Sequence, residues 1–239
     1  MNSSHPDEAV RQKLARVTRA LGPLAQRVVL IGGSIAPLLH TVSLIRWPRP
    51  TDDVDGVIDA ENYVAHGALQ EALRTAGFSE EIASGHLAHR WRSPDGDLID
   101  LVPAGGQFGS TGQPWDAIAL REFDEMEIAP GSWLRHVRAP VLLAMKLAAF
   151  RDRGRADPLY SSDLEDIFAL VLCRPSLGDE VRKGDPVVAE FASGQVRHLL
   201  SEFTIEDLAA VHLNHAYAPS DAMRLVIERL HDLRLARPQ

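Results

Sequence analysis

Cysteine is nearly missing from this chain: one residue, Cys173, in 239. A single thiol excludes an intrachain disulfide and any zinc site built from several cysteines, and Cys173 is expected to be a structural residue. Long apolar runs are missing too. None approaches the ~18 residues a membrane helix needs, and the best candidate, APVLLAMKLAAF, is interrupted by Lys146. The start, MNSSHPDEAVRQK, has no apolar h-region, so no secretory signal is expected and a cytoplasmic location is. There is no basic excess either. A formal net charge of −8 argues against a broadly basic nucleic-acid binder. Repeats and low-complexity segments are absent. What is present, 45% hydrophobic and 24% charged residues, is the make-up of a soluble globular protein. The length suffices for one large domain or two small ones with sizeable cores.

Periodicity divides the chain. Residues 7–21 read as an amphipathic helix, QRVVLIGG as a short buried strand ending in glycines, and SIAPLLHTV as helical with Ser34 as its N-cap. A second strand is expected over 53–58, then a helix in NYVAHGALQEALRTAGF closed by Gly77. HLAHRWRSPDGDLIDLVP reads as a β-hairpin about SPDG. Residues 105–131 are Gly-rich and read as a loop with a short strand near EMEIAP. Helices are expected at 140–153, 162–173, about 186–202, 204–217 and 220–235. The fold class is therefore α/β (α+β) with a mixed sheet over residues 1–132, followed by an all-helical part over 133–239. Trp91 and Trp133 are expected in the core or at the seam. His212 and His215, without a third ligand, are expected at or near the surface.

The chemistry concentrates in RPTDDVDGVI, residues 49–58. On a strand, Asp53 and Asp55 share one face, ~6.5 Å apart at Cα, while Val54 faces the core. Two carboxylates so placed can ligate one divalent cation, and oxygen donors suit Mg²⁺. D-x-D alone also describes a polar turn before a strand. Two further features add weight. Upstream, Gly32-Gly33-Ser34 follows a strand and precedes a helical stretch, a place where backbone N–H groups meet phosphate. Downstream, Asp100 interrupts the apolar run DLIDLVP, and an acid there needs a partner or a metal. A two-residue turn at Pro94-Asp95 would set His89 across from Asp100, either orienting it or simply occupying a half-exposed position.

Gly-Gly-Ser, Asp53-x-Asp55 and Asp100 on a later strand together resemble the nucleotidyltransferase superfamily with the DNA polymerase β-like core. The resemblance implies that Gly32, Gly33 and Ser34 hold nucleotide phosphates and that Asp53, Asp55 and Asp100 hold two Mg²⁺ ions. LLAMKLAAFRDRGRADPLYSSDLEDIFAL then resembles the lysine helix and D-x-x-D helix of AbiEii/MenT-type toxins, with Lys146 and the Asp163/Asp166 pair at the matching positions. On local physics, Lys146 lies in a helix that is apolar around most of its circumference and so needs a carboxylate or an anion. Asp163 and Asp166 share a helix face. Ser162 and Glu165 suggest a capping box that places Asp163 in the first turn, and Asp166 is a partner for Lys146 or Arg151.

The resemblance implies a Mg²⁺-dependent nucleotidyltransferase that moves an NMP from an NTP to an acceptor, with Asp53, Asp55, Asp100 and Lys146 catalytic and Lys146, Asp163 and Asp166 assisting nucleotide binding. Within the toxin-like group the acceptor would be RNA, a tRNA 3′ end, with a cognate antitoxin as partner. Residues 135–155, with six Lys/Arg against one acid, offer a positive stripe for RNA phosphates. Two alternatives use the same residues: adenylylation of a small molecule such as an aminoglycoside, and a nucleotide- or partner-binding protein without turnover.

Overall fold

The computed structural model describes residues 6–45, 51–60, 63–81, 89–104, 114–215 and 219–236. By internal contacts the chain forms two compact units, Met1–Ile35 with Pro50–Arg138, and Ala36–Arg49 with Ala139–Gln239. Residues 36–49 and 133–138 are thus grouped otherwise than a cut after residue 132 groups them.

The first unit is built on a mixed seven-stranded sheet. Its elements are α1 (Pro6–Leu21), β1 (Val28–Ile31), β2 (Asp53–Asp59), α2 (Tyr63–Thr75), β3 (Ser79–Glu80), β4 (Arg90–Arg92), β5 (Leu98–Ala104), α3 (Trp115–Arg121), β6 (Phe123–Ala129) and β7 (Ser132–Val137). The sheet order is β3-β4-β5-β2-β1-β7-β6. β2 runs parallel to β5 and β1 parallel to β7, and the other neighbours are antiparallel. β2 lies mid-sheet because Val54, Val57 and Ile58 are fully buried and Gly56 lets its neighbour approach: a Cβ there would stand 2.7 Å from Val28 Cγ1. α1 packs on β6 and β7, and α3 on β2 and β7. α2 ends as expected at Gly77, whose φ of +86° lets Phe78 N donate to Leu73 O at 3.0 Å.

The second unit is helical: α4 (Ala139–Ala149) continued by a π turn at Phe150–Gly154, α5 (Ser162–Cys173), α6 (Leu177–Lys183), α7 (Pro186–Glu202), α8 (Ile205–His215) and α9 (Ala222–Leu233). α4 packs against α5, α6 and α7, which explains why it is apolar nearly all round. Residues 36–45 join this unit through the end of α5, where Thr41 N and Val42 N both donate to Cys173 O, at 2.9 and 3.0 Å. Cys173 itself is buried.

Several expectations are corrected. SIAPLLHTV forms no α-helix, only a 3₁₀ turn at Ala36–Leu39. Pro37 lacks an N–H, and the segment after it is drawn into hydrogen bonds with Cys173. The expected loop from 105 lies outside the described residues up to 113, and beyond it stand α3 and the β6–β7 hairpin. α3 and α6, at seven residues each, are too short to show helical periodicity clearly. Trp91 is buried, but Trp133 is 49% exposed. His212 is buried rather than superficial, its Nε2 2.9 Å from Pro158 O and its ring edge-on to Phe168. The His215 side chain lies outside the described residues.

Candidate active site

Strand alternation sets the first part of the site. Asp53 and Asp55 lie on one face of β2 while Val54 is buried on the other. Lys13 on α1 secures the approach to β2, its Nζ donating to Thr51 O at 2.9 Å and Asp52 O at 2.6 Å. β5 runs parallel with Asp55 paired to Asp100, so the third carboxylate shares that face between buried Ile99 and Leu101. Asp53, Asp55 and Asp100 each offer an oxygen within 4.8 Å of the others, and all three are half-buried.

Antiparallel β1 brings the glycine turn to the same place by pairing Ile31 with Asp55. Gly32 follows at φ +78°, and a Cβ on it would stand 2.0 Å from Asp55 Oδ2. Glycine is therefore required both by backbone conformation and by contact with the carboxylate. Gly33 is buried. Ser34 is 2% exposed, and its hydroxyl has no hydrogen-bond partner among the described residues. An unsatisfied buried hydroxyl costs about 1–3 kcal/mol, and a bound water, ion or ligand group is what would satisfy it. The helix expected to start here is a four-residue 3₁₀ turn, so a macrodipole contributes little. Backbone N–H groups and the Ser34 hydroxyl are what the turn offers an anion.

The hairpin register differs from the expected one by a residue. Its loop has three residues, Pro94–Gly96, with Gly96 at φ +87°, and Ser93 N donates to Asp97 O at 2.8 Å. Arg90, not His89, is consequently paired with Asp100. A one-residue shift exchanges the faces of a strand. Arg90 Nε donates to Asp100 Oδ1 at 2.8 Å, and its Nη2 donates to Asp100 Oδ2 at 2.6 Å and to Asp53 Oδ2 at 2.8 Å. The hydrogen bonding to Asp100 above all, with the charges of Asp100, Asp53 and Asp55, outweighs partial burial and raises the guanidinium pKa further. Arg90 escaped the sequence reading. Gly96, a residue suited to the left-handed position of a three-residue loop, was the signal that could have found it.

Oxygen donors converging on one point are the chemistry that holds Mg²⁺, so the residues present fit such an ion, with Asp53, Asp55 and Asp100 as its holders.

Lys146, Asp163 and Asp166 meet in the second unit. Lys146 Nζ lies 3.2 Å from Asp163 Oδ1 and 2.6 Å from Asp166 Oδ2, and all three residues are buried. Arg153 adds two hydrogen bonds to Asp163, at 2.8 and 3.1 Å. Burial works against the Lys146 charge, but Asp166 and Asp163 outweigh it and raise the lysine's pKa. Burial likewise pushes Asp163 up, and Arg153 with Lys146 overcomes it, holding the carboxyl below its ordinary range. The cap of α5 is Ser161, not Ser162: its Oγ accepts from Leu164 N at 3.3 Å. The sequence-predicted site residues therefore form two groups, each within one unit: Gly32, Gly33, Ser34, Asp53, Asp55 and Asp100 in the first, Lys146, Asp163 and Asp166 in the second.

The positive stretch at 135–155 is neutralised. Arg135 pairs with Glu125, Arg138 with Asp124, Lys146 with Asp163 and Asp166, Arg151 with Asp152, Arg153 with Asp163, and Arg155 with Glu202.

Among solved structures, an antigenic nucleotidyltransferase-like protein from Paracoccidioides brasiliensis matches this chain with a TM-score of 0.53 at 18% identity, over 90% of this chain and 95% of that one. The antibiotic-resistance factor ANT(2'')-Ia matches with a TM-score of 0.47 at 15% identity, over 82% of this chain and 95% of that one. No protein-family model matches the sequence, and no curated protein sequence does. The first likeness shows the fold, an α/β nucleotidyltransferase-like core with a helical region.

Proposed function

We propose that this chain is a divalent-metal-dependent nucleotidyltransferase that moves an NMP from an NTP to a hydroxyl of a small acceptor. The observation that carries the reading is the convergence of Asp53, Asp55 and Asp100 beside the Gly32–Ser34 turn on a nucleotidyltransferase-like fold. Asp53, Asp55 and Asp100 would hold Mg²⁺, two ions in the form the superfamily resemblance implies. When bound, divalent cations polarise phosphoryl oxygens and stabilise the attacking and leaving oxygens of a displacement. The turn's N–H groups and the Ser34 hydroxyl bind the β- and γ-phosphates. The acceptor oxygen bonds to the α-phosphorus, the bond from that phosphorus to the bridging oxygen breaks, and pyrophosphate leaves. Asp100 takes the acceptor's proton. Lys146, Asp163 and Asp166 act by fastening α4 to α5.

The small acceptor is favoured over a polyanion by charge. The protein carries −8, and each cation of the 135–155 stretch has a carboxylate partner. RNA phosphates would have to displace those acids. A second reading has one observation in its favour: Lys146, Asp163 and Asp166, which carry the resemblance to the AbiEii/MenT-type toxins, do meet in one cluster. In that reading the acceptor is a tRNA 3′ end and an antitoxin is the partner. Incubation with each α-labelled NTP and Mg²⁺, against total RNA and a panel of hydroxylated small molecules including aminoglycosides, decides between them. Label on a small molecule supports the first reading, label on RNA replaces it with the second, and label on neither with any NTP removes both.

A further inference from the structure

We propose that Arg90 is an exchangeable counter-cation of the carboxylate cluster, competing with the divalent metal for Asp53 and Asp100, so that metal binding requires its Nη2 to leave. The inference rests on the proposed metal site and adds a device that controls its loading.

Three carboxylates with oxygens within 4.8 Å of one another repel unless a cation lies among them. Among the described residues Arg90 is such a cation, in contact with Asp53 and Asp100. It reaches the cluster from β4, where its Cα is paired with that of Asp100, so its position is set by sheet register rather than by a loop. Its Nη2 bridges one oxygen of Asp53 and one of Asp100, at 2.8 and 2.6 Å, while Nε takes the other oxygen of Asp100 at 2.8 Å. Both oxygens of Asp100 are thereby engaged by one guanidinium. A divalent ion shared by Asp53 and Asp100 competes with Nη2 for Asp53 Oδ2 and with the guanidinium for both oxygens of Asp100, and the guanidinium charge held at those oxygens repels the incoming ion. The Arg90 side chain is 29% exposed, and among the described residues its hydrogen bonds go only to these two carboxylates. Arg90 thus keeps the carboxylates assembled without metal and lowers the affinity for it.

Mn²⁺ binding to the purified full chain, measured by titration calorimetry and by electron paramagnetic resonance of free Mn²⁺, tests this without reference to turnover. Arg90→Gln is expected to bind Mn²⁺ on the order of tenfold or more tightly than the unaltered chain, because the competing charge is gone. Without metal its melting temperature is expected to fall, and saturating Mn²⁺ to restore it. Arg90→Lys keeps a charge but not the fork, and is expected to fall between the two. It stands in if Arg90→Gln does not fold. Unchanged or weaker Mn²⁺ binding in these variants, with clear binding by the unaltered chain, overturns the competition and leaves the metal site standing. Absence of Mn²⁺ binding in the unaltered chain and both variants removes the metal site and the inference together.

Discussion

Gly32 and Ser34 make opposite demands on stability, and single substitutions separate them. Gly32 holds φ +78° against Asp55 Oδ2. Gly32→Ala combines a left-handed backbone with a direct clash, so a loss of about 1–3 kcal/mol is expected, together with displacement of Asp55. A lower melting temperature and a weaker Mn²⁺ response would show both effects, and an unchanged Mn²⁺ response would detach the glycine from the site. Ser34→Ala should act the other way. Removing a buried hydroxyl that has no partner among the described residues relieves a desolvation penalty, so the nucleotide-free protein is expected to melt no lower than the unaltered one. NTP affinity is expected to fall about tenfold, the loss of one hydrogen bond to a charged phosphate. A variant that melts lower and binds NTP normally would make Ser34 a packing residue.

At the level of the elements, α4 and α5 are clasped by Lys146 between Asp163 and Asp166, with Arg153 supporting Asp163. Breaking a buried pair from one side leaves charge uncompensated, so Lys146→Met is expected to destabilise the protein by about 3–5 kcal/mol. Adding Asp166→Asn should recover part of that, and chemical denaturation of the single and double variants measures both. The pH dependence follows in sign. Asp163 is held below its ordinary value, so its contribution is full above about pH 4 and disappears as pH falls through the lowered value. Lys146 is raised, so its contribution is present below its ordinary value near 10.4 and disappears only as pH rises through the higher one. Melting temperature is therefore expected to be insensitive to this clasp between about pH 5 and 10. Asp163→Asn should reduce the acid-side slope below about pH 4, and an unaltered slope would show that other carboxylates govern acid unfolding.

For the molecule as a whole, the proposed function predicts linkage between ligand and stability. Mg²⁺ with the preferred NTP at 100 times Kd should add about 2.7 kcal/mol to unfolding. Replacing Asp53 and Asp55 together by Asn should abolish that gain while leaving the metal-free melting temperature nearly unchanged, because relief of carboxylate repulsion offsets the interactions the two carboxylates lose, that of Arg90 with Asp53 among them. A large metal-free loss in the double variant would make the aspartates structural instead. The −8 charge and the paired cations of 135–155 also predict that transfer to a neutral or cationic small acceptor tolerates added salt better than transfer to RNA would.

Alternation by itself determined that Asp53 and Asp55 share a face opposite Val54, and an acid between Ile99 and Leu101 was enough to single out Asp100. The apolar circumference of α4 likewise showed that Lys146 needed a partner. These are properties of period and composition, which a strand or helix carries wherever it sits. The pairings were decided elsewhere. Arg90 rather than His89 faces Asp100 because Gly96 makes a three-residue loop, and a shift of one residue reverses every side chain on the strand. The 3₁₀ turn after Ser34 is short because Thr41 and Val42 bond to Cys173, more than a hundred residues away. The positive stretch at 135–155 is neutral because Glu125, Asp124, Asp163, Asp166 and Glu202 come to it from other elements. Local pattern states what each element requires, whereas the group that meets the requirement stands on another segment, and only the folded chain brings the two together.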